Sequence, residues 1–218
     1  RVDDLDSLFE EGYQAVLIAA GAHEGVRPPI PGANLDGVLV STNFLRDVRL
    51  GEIPDLGKKV VVVGAGDVAM DVARTALRLQ SEVHVVYRRR EVDASAGEEE
   101  IRHAREEGIQ FHFQTSPAEI IGGGNGQLSG MWCEETEPGV LDKSGRPRPV
   151  PVPDSKHFLE CDTVIFAVGQ RAGLAFIPDD AGVGITGENT IAINPNTFAA
   201  TREGVFAAGD SIYGTAYV

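Results

Sequence analysis

Cysteine and basic side chains are both scarce in this chain of 218 residues. Cys133 and Cys161 stand far apart without a Cys-x-x-Cys motif, which excludes a redox-active dithiol and a zinc or iron-sulfur site built from this chain alone. We predict that both are buried free thiols. The 19 lysines and arginines face 33 aspartates and glutamates, so the net charge is −14 and the pI is about 4.7. Such an acidic chain argues against nucleic acids and anionic membrane surfaces as partners.

Long apolar runs are also missing. No stretch approaches the ~20 apolar residues of a membrane-spanning helix, and the sequence shows no signal-peptide pattern. We therefore expect a cytoplasmic protein without a membrane span. Four of the histidines, His84, His103, His112 and His157, lack metal-ligand spacing, so we predict no metal site. What the chain does contain, 42% hydrophobic and 24% charged residues, is typical of an α/β globular protein.

Four consecutive valines open the most informative stretch. An uninterrupted β-branched run, Val60–Val63, suits a parallel strand that is covered on both faces. Gly64 and Gly66 follow where the chain must turn sharply and let its backbone approach a ligand. Ala69 occupies a third small position, at which the following helix presses on the sheet. The stretch therefore predicts a central strand, a glycine turn and a helix.

Apolar residues recur at helical spacing from Val68 to Leu79, with charged residues between them. We predict an amphipathic helix with Asp67 as its N-cap. The free N–H groups and positive dipole end of such a helix point beyond the glycines, where a pyrophosphate is the best-matched ligand. This Gly-x-Gly-x-x-Ala pattern, with a strand before it and a helix after it, predicts a dinucleotide site. Its candidate residues are Gly64, Gly66, Asp67, Val68 and Ala69.

A second apolar strand, Val83–Tyr87, ends where the adenine ribose of a dinucleotide would lie. An acidic residue at that point accepts a hydrogen bond from the 2′-hydroxyl of NAD, whereas arginine matches the 2′-phosphate of NADP. This chain has Arg88, Arg89 and Arg90 there, and no acid. Charge runs also occur in solvated turns. Their place after the second strand favours NADP(H) as the cofactor.

The chain beyond residue 90 continues the same domain. A charged helix, Glu98–Glu107, and a third strand, Ile109–Phe113, precede an antiparallel meander. We predict strands of this meander at Ala118–Ile121, Leu128–Glu135 and Lys156–Glu160. An apolar strand, Thr163–Val168, should then lie beside the valine strand, with Val168 and Gly169 at the cofactor crevice.

Apolar strands near the two ends of the chain both run into glycine. Tyr13–Ala20 leads into Gly21, and Val205–Ala208 leads into Gly209 and Asp210. A Gly-Asp pair after a buried strand offers close backbone approach and a carboxylate that can accept from a sugar or ribityl hydroxyl. An exposed turn would show the same two residues. The pattern alone therefore leaves the ligand open.

Motifs along nearly the whole chain resemble one flavoprotein family. The matching segments are Val61–Thr75, Val86–Arg90, Ala104–Gly108, Ser144–Arg146, Asp162–Gln170 and Gly204–Asp210. They resemble the small, NADPH-oxidising subunit of glutamate synthase and its relatives in the pyridine nucleotide-disulfide oxidoreductase group. The resemblance implies an enzyme in which an NADPH domain is inserted into an FAD domain. Hydride would pass from nicotinamide to flavin, and electrons would leave through iron-sulfur clusters.

The resemblance also implies a domain division. Residues 58–171 would form the NADP(H)-binding domain, a Rossmann-like α/β fold with a parallel sheet, helices and an antiparallel β-meander. Residues 1–57, with a boundary near Asp55 to Lys58, and residues 172–218 would be partial segments of an FAD-binding domain. The residues implied to contact FAD are Ala20, Gly21, Gly209 and Asp210. The implied partners are the missing FAD and iron-sulfur segments of the parent protein, or a separate electron-acceptor subunit.

The sequence departs from the family pattern at several points. The flavin's own glycine fingerprint and the cysteine-rich cluster segment are missing, so the chain looks like a fragment that does not catalyse by itself. Asp67 stands where the family has Asn, Ala20 where it has Thr, and Ser211 where it has Val. We expect no catalytic side chain, because hydride transfer between two cofactors mainly requires that the protein position them.

Two other classes of function remain open from the residues. A stand-alone NADP-dependent dehydrogenase would need a substrate domain and a positioned proton donor, and we find no convincing one. A nucleotide-binding sensor would show the fingerprint without the two outlying strand ends. The paired glycine-ended strands therefore favour the NADP(H)-binding portion of an FAD-dependent oxidoreductase.

Overall fold

The computed structural model describes residues 4–124, 127–142 and 145–215, so Ser144 of the predicted Ser144–Arg146 motif lies outside the described residues. The α-helices are α1 (Asp6–Glu10), α2 (Ser41–Leu50), α3 (Asp67–Arg78), α4 (Glu98–Glu106) and α5 (Asp210–Tyr213). The strands are β1 (Val16–Ile18), β2 (Glu24–Gly25), β3 (Val38–Val40), β4 (Lys59–Val63), β5 (Glu82–Tyr87), β6 (Gln110–Phe113), β7 (Thr115–Gly122), β8 (Leu128–Leu141), β9 (Pro147–Pro151), β10 (His157–Leu159), β11 (Thr163–Phe166), β12 (Gln170–Arg171) and β13 (Val205–Ala207). No helix in these ranges is long and apolar enough to cross a membrane.

The chain divides into two compact units. The larger comprises residues 25–168, and the smaller comprises residues 1–24 together with residues 169–218. The larger unit thus begins well before the boundary expected near Asp55 to Lys58. The physical reason is that β3 joins the main sheet, where Val38 pairs with Val164 of β11 in parallel. The cofactor assigned to each segment stays a prediction.

A five-stranded parallel sheet is the framework of the larger unit, in the order β3-β11-β4-β5-β6. The valine strand β4 lies in the middle, with β11 on one side and β5 on the other. Residues Val60, Val61 and Val62 are all fully buried, as an uninterrupted apolar run in a parallel sheet predicts. The expected neighbour relation between β4 and the strand at Thr163 is confirmed.

The two faces of this sheet are covered by different layers. Val60 and Val62 face a core that includes Phe44 of α2, Met70 of α3 and Ile101 of α4. Alternate residues face the other way, where the core combines parts of β4, β5 and β11 with the antiparallel strands. Its members from the two sheets include Val61, Val63, Val86, Phe166, Ile120, Met131 and Cys133. The unit therefore has three layers: helices, parallel sheet and antiparallel sheet.

The antiparallel layer is organised around β8. Its first half pairs with β7 on one side and β10 on the other, and its second half pairs with β9. Antiparallel strands are thus present as predicted, but they do not follow one another as a simple meander. The reason is the length of β8, whose 14 residues accommodate different partners along its course. The β8–β9 pair forms a hairpin that reaches back toward the end of β5.

The smaller unit is built on the parallel pair of β1 and β13, in which Ile18 lies opposite Ala207. Its core is formed by apolar side chains from both ends of the chain, among them Leu5, Ile18, Leu174, Val205 and Ile212. Ser211 is fully buried, and its hydroxyl donates to the Ala208 carbonyl at 2.7 Å and lies 3.3 Å from the Ile18 carbonyl oxygen. This side chain ties the ends of the two strands together.

Candidate functional site

The glycine turn after β4 is fixed from two sides. Gly64 has φ +133°, a backbone conformation that side chains rarely adopt. Its N–H donates to the Val86 carbonyl of β5 at 2.9 Å. A Cβ atom here would lie 2.3 Å from the Ala167 carbonyl oxygen, just after β11. Only glycine fits this position, and the turn is wedged between the carboxyl ends of two neighbouring strands.

Helix α3 starts at Asp67, and its N-cap is Gly66 in an extended conformation. The prediction that Asp67 caps the helix is therefore wrong by one position, because Asp67 already has its place in the first turn. Ala69 is fully buried, and its N–H donates to the Gly66 carbonyl at 2.9 Å. Gly66, Asp67 and Val68 are half-buried. A glycine N-cap offers no side chain to the first-turn N–H groups, so this end of a 12-residue helix suits an anion.

A second segment approaches the glycine turn and was missed by the sequence analysis. The Ala96 N–H donates to the Ala65 carbonyl at 3.1 Å. Ser95 Oγ would lie 3.0 Å from a Cβ on Gly66. The signal that was available is the run of small residues Ala94 to Gly97, which permits a close approach. Ser95 thus joins the candidate phosphate site with a hydroxyl group.

The three arginines after β5 differ in their partners. Arg90 makes a two-pronged ion pair with Asp93 at 2.8 and 2.9 Å, and this interaction lowers the pKa of Asp93. Arg89 is held by the β8–β9 hairpin, through Asp142 and the Pro147 carbonyl. Arg88 is exposed, and its guanidinium makes no hydrogen bond or ion pair with the described residues. Of the three, Arg88 is the one whose guanidinium has no such partner.

Arg88 and the glycine turn emerge at the same edge of the sheet. Val63 of β4 pairs with Val86 of β5 in parallel, so Gly64 and Tyr87 follow side by side. Val168 comes two residues after β11 and is 42% exposed. Gly169, the next residue, has φ +131°. The carboxyl ends of β11, β4 and β5 together form the crevice where ligands of open α/β sheets bind.

The candidate residues of the smaller unit also lie at a common strand edge. Ala20 and Gly21 follow β1, Gly209 and Asp210 follow β13, and these two strands are parallel. Gly209 has φ +71°, and Asp210 is the first residue of the four-residue helix α5. No ion pair or side-chain hydrogen bond involves the Asp210 carboxylate within the described ranges, which leaves its oxygens able to accept from a ligand hydroxyl.

The thiols and histidines offer little for chemistry. Burial raises the pKa of Cys133 and of Cys161 to about 12, so both are inert as thiolates near neutral pH. Both are free and buried, as predicted. His84 and His112 stack with a ring-nitrogen separation of 2.9 Å. In the part of the chain that the structure describes, no group of three or more His, Cys, Asp or Glu side chains is arranged to hold a metal ion.

Comparison with known sequences identifies the family. A family model described as pyridine nucleotide-disulphide oxidoreductase matches residues 2–217. The chain belongs to this family. Solved structures agree on the fold of this oxidoreductase chain: Mycobacterium tuberculosis FprA in complex with NADPH has a TM-score of 0.80 and 21% identity, covering 100% of this chain and 63% of that one. Thioredoxin reductase of T. acidophilum has a TM-score of 0.67 and 20% identity, covering 92% and 58%.

Curated relatives of this oxidoreductase chain are subunits of larger enzymes. The beta subunit of the NADP(+)-dependent formate dehydrogenase of Moorella thermoacetica is 42% identical, over 98% of this chain and 30% of its own length. The beta subunit of the NADPH-Fe(3+) oxidoreductase of Geobacter sulfurreducens is 38% identical, over 94% and 34%. The small chain of the NADPH glutamate synthase of Escherichia coli is 35% identical, over 97% and 48%. The chain thus spans about a third to a half of their length. The predicted family and the predicted α/β fold with a parallel sheet are confirmed.

Proposed function

We propose that the larger unit binds NADP(H) at the edge formed by β11, β4 and β5. Gly64 and Gly66 would let the backbone approach the pyrophosphate, and the first-turn N–H groups of α3 would donate to its oxygens. The close approach of Ala167 to Gly64 supports this reading, because it makes the tight turn obligatory. The Ser95 hydroxyl would add one more donor at the same place.

The observation that carries this proposal is the guanidinium of Arg88, which has no partner among the described residues and lies at the same sheet edge as the glycine turn. In a chain with 33 acidic residues, an arginine that no described carboxylate neutralises, at the ribose end of the crevice, is matched to a 2′-phosphate. Val168 would border the crevice from β11. The relatives that use NADPH or NADP(+) by name support the same coenzyme.

We further propose that the smaller unit contributes to an FAD site. Ala20, Gly21 and Gly209 would allow the flavin nucleotide to approach the backbone, and Asp210 would accept from a sugar or ribityl hydroxyl. When bound, NADPH would supply a hydride and FAD would supply the redox chemistry that turns it into electrons for an acceptor. The residues of this chain would bind and orient the two cofactors, and no side chain would act as a nucleophile or base.

The whole protein would then be an NADPH-dependent FAD oxidoreductase. As the sequence resemblance implies, its electrons would go to an iron-sulfur segment or to a partner subunit, in the cytoplasm. The alternatives, a stand-alone dehydrogenase and a nucleotide sensor, are less well supported. This chain has two strand edges suited to a nucleotide cofactor, one at β11, β4 and β5 and one at β1 and β13. Its two cysteines are buried and inert, so they offer no reactive group for either alternative.

Titration calorimetry with NADPH and NADH tests the coenzyme assignment. The unchanged protein should bind NADPH more tightly, and Arg88→Ala should remove most of that preference. Loss of one charged hydrogen-bond partner corresponds to ~1.5 to 3 kcal/mol, about tenfold to a hundredfold in affinity. Arg49→Ala is the matched control, since it removes an exposed arginine from the last turn of α2. Equal affinities of the unchanged protein for the two coenzymes would contradict the assignment of NADP(H).

A further inference from the structure

Arg89 directly follows Arg88 but is bound to another part of the molecule. Its Nε donates to the Pro147 carbonyl at 3.0 Å, and its Nη2 lies 2.9 Å from Asp142 Oδ2. The two charged side chains are only 10% and 21% exposed. An ion pair that is largely shielded from water is costly to break, since the partner left behind keeps an uncompensated charge. Arg89 would therefore have to break its ion pair with Asp142 in order to contact a ligand.

Asp142 is itself oriented by the hairpin. Its Oδ1 accepts from the Arg146 N–H at 3.1 Å, and its own N–H donates to the Arg146 carbonyl at 2.8 Å. One carboxylate oxygen thus belongs to the turn and the other to Arg89. The carboxylate has little freedom to follow a displaced guanidinium.

The hairpin also fixes the backbone of the arginine segment. Thr136, at the start of the hairpin, is 3% exposed, and its hydroxyl donates to the Arg88 carbonyl at 2.8 Å. The Gln114 N–H donates to the Arg89 carbonyl at 2.9 Å, and the Gln114 side chain donates to the Thr136 carbonyl at 3.0 Å. Consecutive carbonyls of the segment are therefore both held, one by Thr136 of β8 and the other by Gln114, which directly precedes β7. Such fixed backbone is what holds a neighbouring exposed side chain in one region of space.

We propose that Arg89 is a positioning residue: with Asp142 and Thr136 it clamps the arginine segment to the β8–β9 hairpin, so that Arg88 alone of the pair meets the coenzyme 2′-phosphate. This inference rests on the proposed NADP(H) site. It makes coenzyme preference depend on a hairpin whose Asp142 lies 53 residues further along the chain than Arg89.

Asp142→Asn distinguishes a positioning role of Arg89 from direct binding, because the two roles predict opposite changes in the NADPH-over-NADH affinity ratio. If Arg89 positions Arg88, loss of the carboxylate loosens the clamp, and the NADPH-over-NADH affinity ratio should fall by roughly tenfold, the effect of one charged hydrogen bond. If Arg89 binds the phosphate directly, the same change frees it from its competitor, and the ratio should rise. Asn keeps an oxygen that can accept from the Arg146 N–H, so this hydrogen bond is preserved.

Glu137→Gln is the matched control for charge. Glu137 lines the same small pocket as the three arginines, is exposed, and makes no ion pair with the described residues. Its neutralisation changes the local field without touching the clamp. The affinity ratio for Asp142→Asn should therefore fall relative to that for Glu137→Gln. A ratio that is equal to or above the control would overturn the proposal.

Thr136→Val provides a second arm in case Asp142→Asn fails to fold. It removes the hydroxyl that holds the Arg88 carbonyl while keeping the side-chain shape, and it should also lower the affinity ratio, with NADH affinity unchanged. Asp142→Glu, which keeps the charge, should recover part of the preference. If Thr136→Val retains the full ratio, the clamp is refuted. If the unchanged protein has no preference for NADPH, the proposed function fails first, whatever the hairpin variants do.

Discussion

Substituting alanine at Gly64 and at Gly66 should have two different effects. At Gly64 the backbone has φ +133°, and a Cβ would meet the Ala167 carbonyl oxygen at 2.3 Å and its carbon at 2.9 Å. At Gly66 the backbone has φ −104° and ψ 178°, which any residue adopts, and the nearest atom is the movable Ser95 Oγ at 3.0 Å. Gly64→Ala should therefore damage stability, and Gly66→Ala should damage binding.

The sizes follow from these contacts. A sparsely populated backbone conformation costs about 1 to 3 kcal/mol, and a clash with backbone that cannot move aside adds about 1 to 3 kcal/mol. Gly64→Ala should thus lose about 3 kcal/mol or more, a large part of the 5 to 15 kcal/mol typical of a whole domain. Gly66→Ala should stay within about 1 kcal/mol of the unchanged protein. Its methyl group, however, stands where the pyrophosphate should approach, so NADPH affinity should fall roughly tenfold or more.

Urea unfolding and calorimetric titration of NADPH measure the two effects separately. Gly187→Ala is the control, because Gly187 is exposed, has no positive φ, and a Cβ there would have nothing within 4 Å. The reasoning is refuted if Gly64→Ala proves as stable as Gly187→Ala. It is equally refuted if Gly66→Ala binds NADPH as tightly as the unchanged protein.

Three further predictions concern charge, pH and turnover. Asp67→Asn should tighten NADPH binding, most at low ionic strength, because a carboxylate in the first turn of α3 repels a pyrophosphate; unchanged or weaker binding at low salt would show that it does not. Burial, with smaller effects of His84 and His157, lowers the pKa of His112. The unfolded chain therefore binds a proton at this histidine near pH 6.5, whereas the folded chain does not. Stability should therefore fall on acidification through this range, and His112→Gln should flatten the fall in melting temperature; an equal fall in both proteins would contradict the assignment. The 218 residues by themselves should bind NADPH without oxidising it, and turnover with an artificial electron acceptor would contradict the view that the chemistry depends on further FAD-binding segments.

The central strand and the glycine turn could be predicted because their determinants are local. Val60 to Val63 are consecutive apolar residues, and the glycines follow at once. A buried parallel strand needs no information beyond such a run. The residues of β3 were harder to place, because their membership of the large sheet depends on pairing with β11, more than a hundred residues later. The predicted start of the domain was therefore later than the start of the compact unit.

The roles of the arginines could not be read from their own sequence. Three adjacent arginines look equivalent, and the partners that separate them lie at different distances along the chain. Asp93 is three residues from Arg90 and is visible to local reasoning, whereas Asp142 and Pro147 lie in the hairpin. A stretch rich in Gly, Pro and charge carries no signal that it will clamp a strand end.

Coenzyme choice in such an acidic chain depends on where the carboxylates are as much as on where the arginines are. With a net charge of −14, internal carboxylates compete with a bound phosphate for the arginines near the crevice. The fold assigns Asp93 to Arg90 and Asp142 to Arg89, and both pairs are held by further backbone contacts. Among the described residues, no carboxylate is paired with Arg88, so its hydrogen-bonding groups remain open to a ligand. In the proposed site, a substitution that moves either aspartate should therefore alter the preference for NADPH.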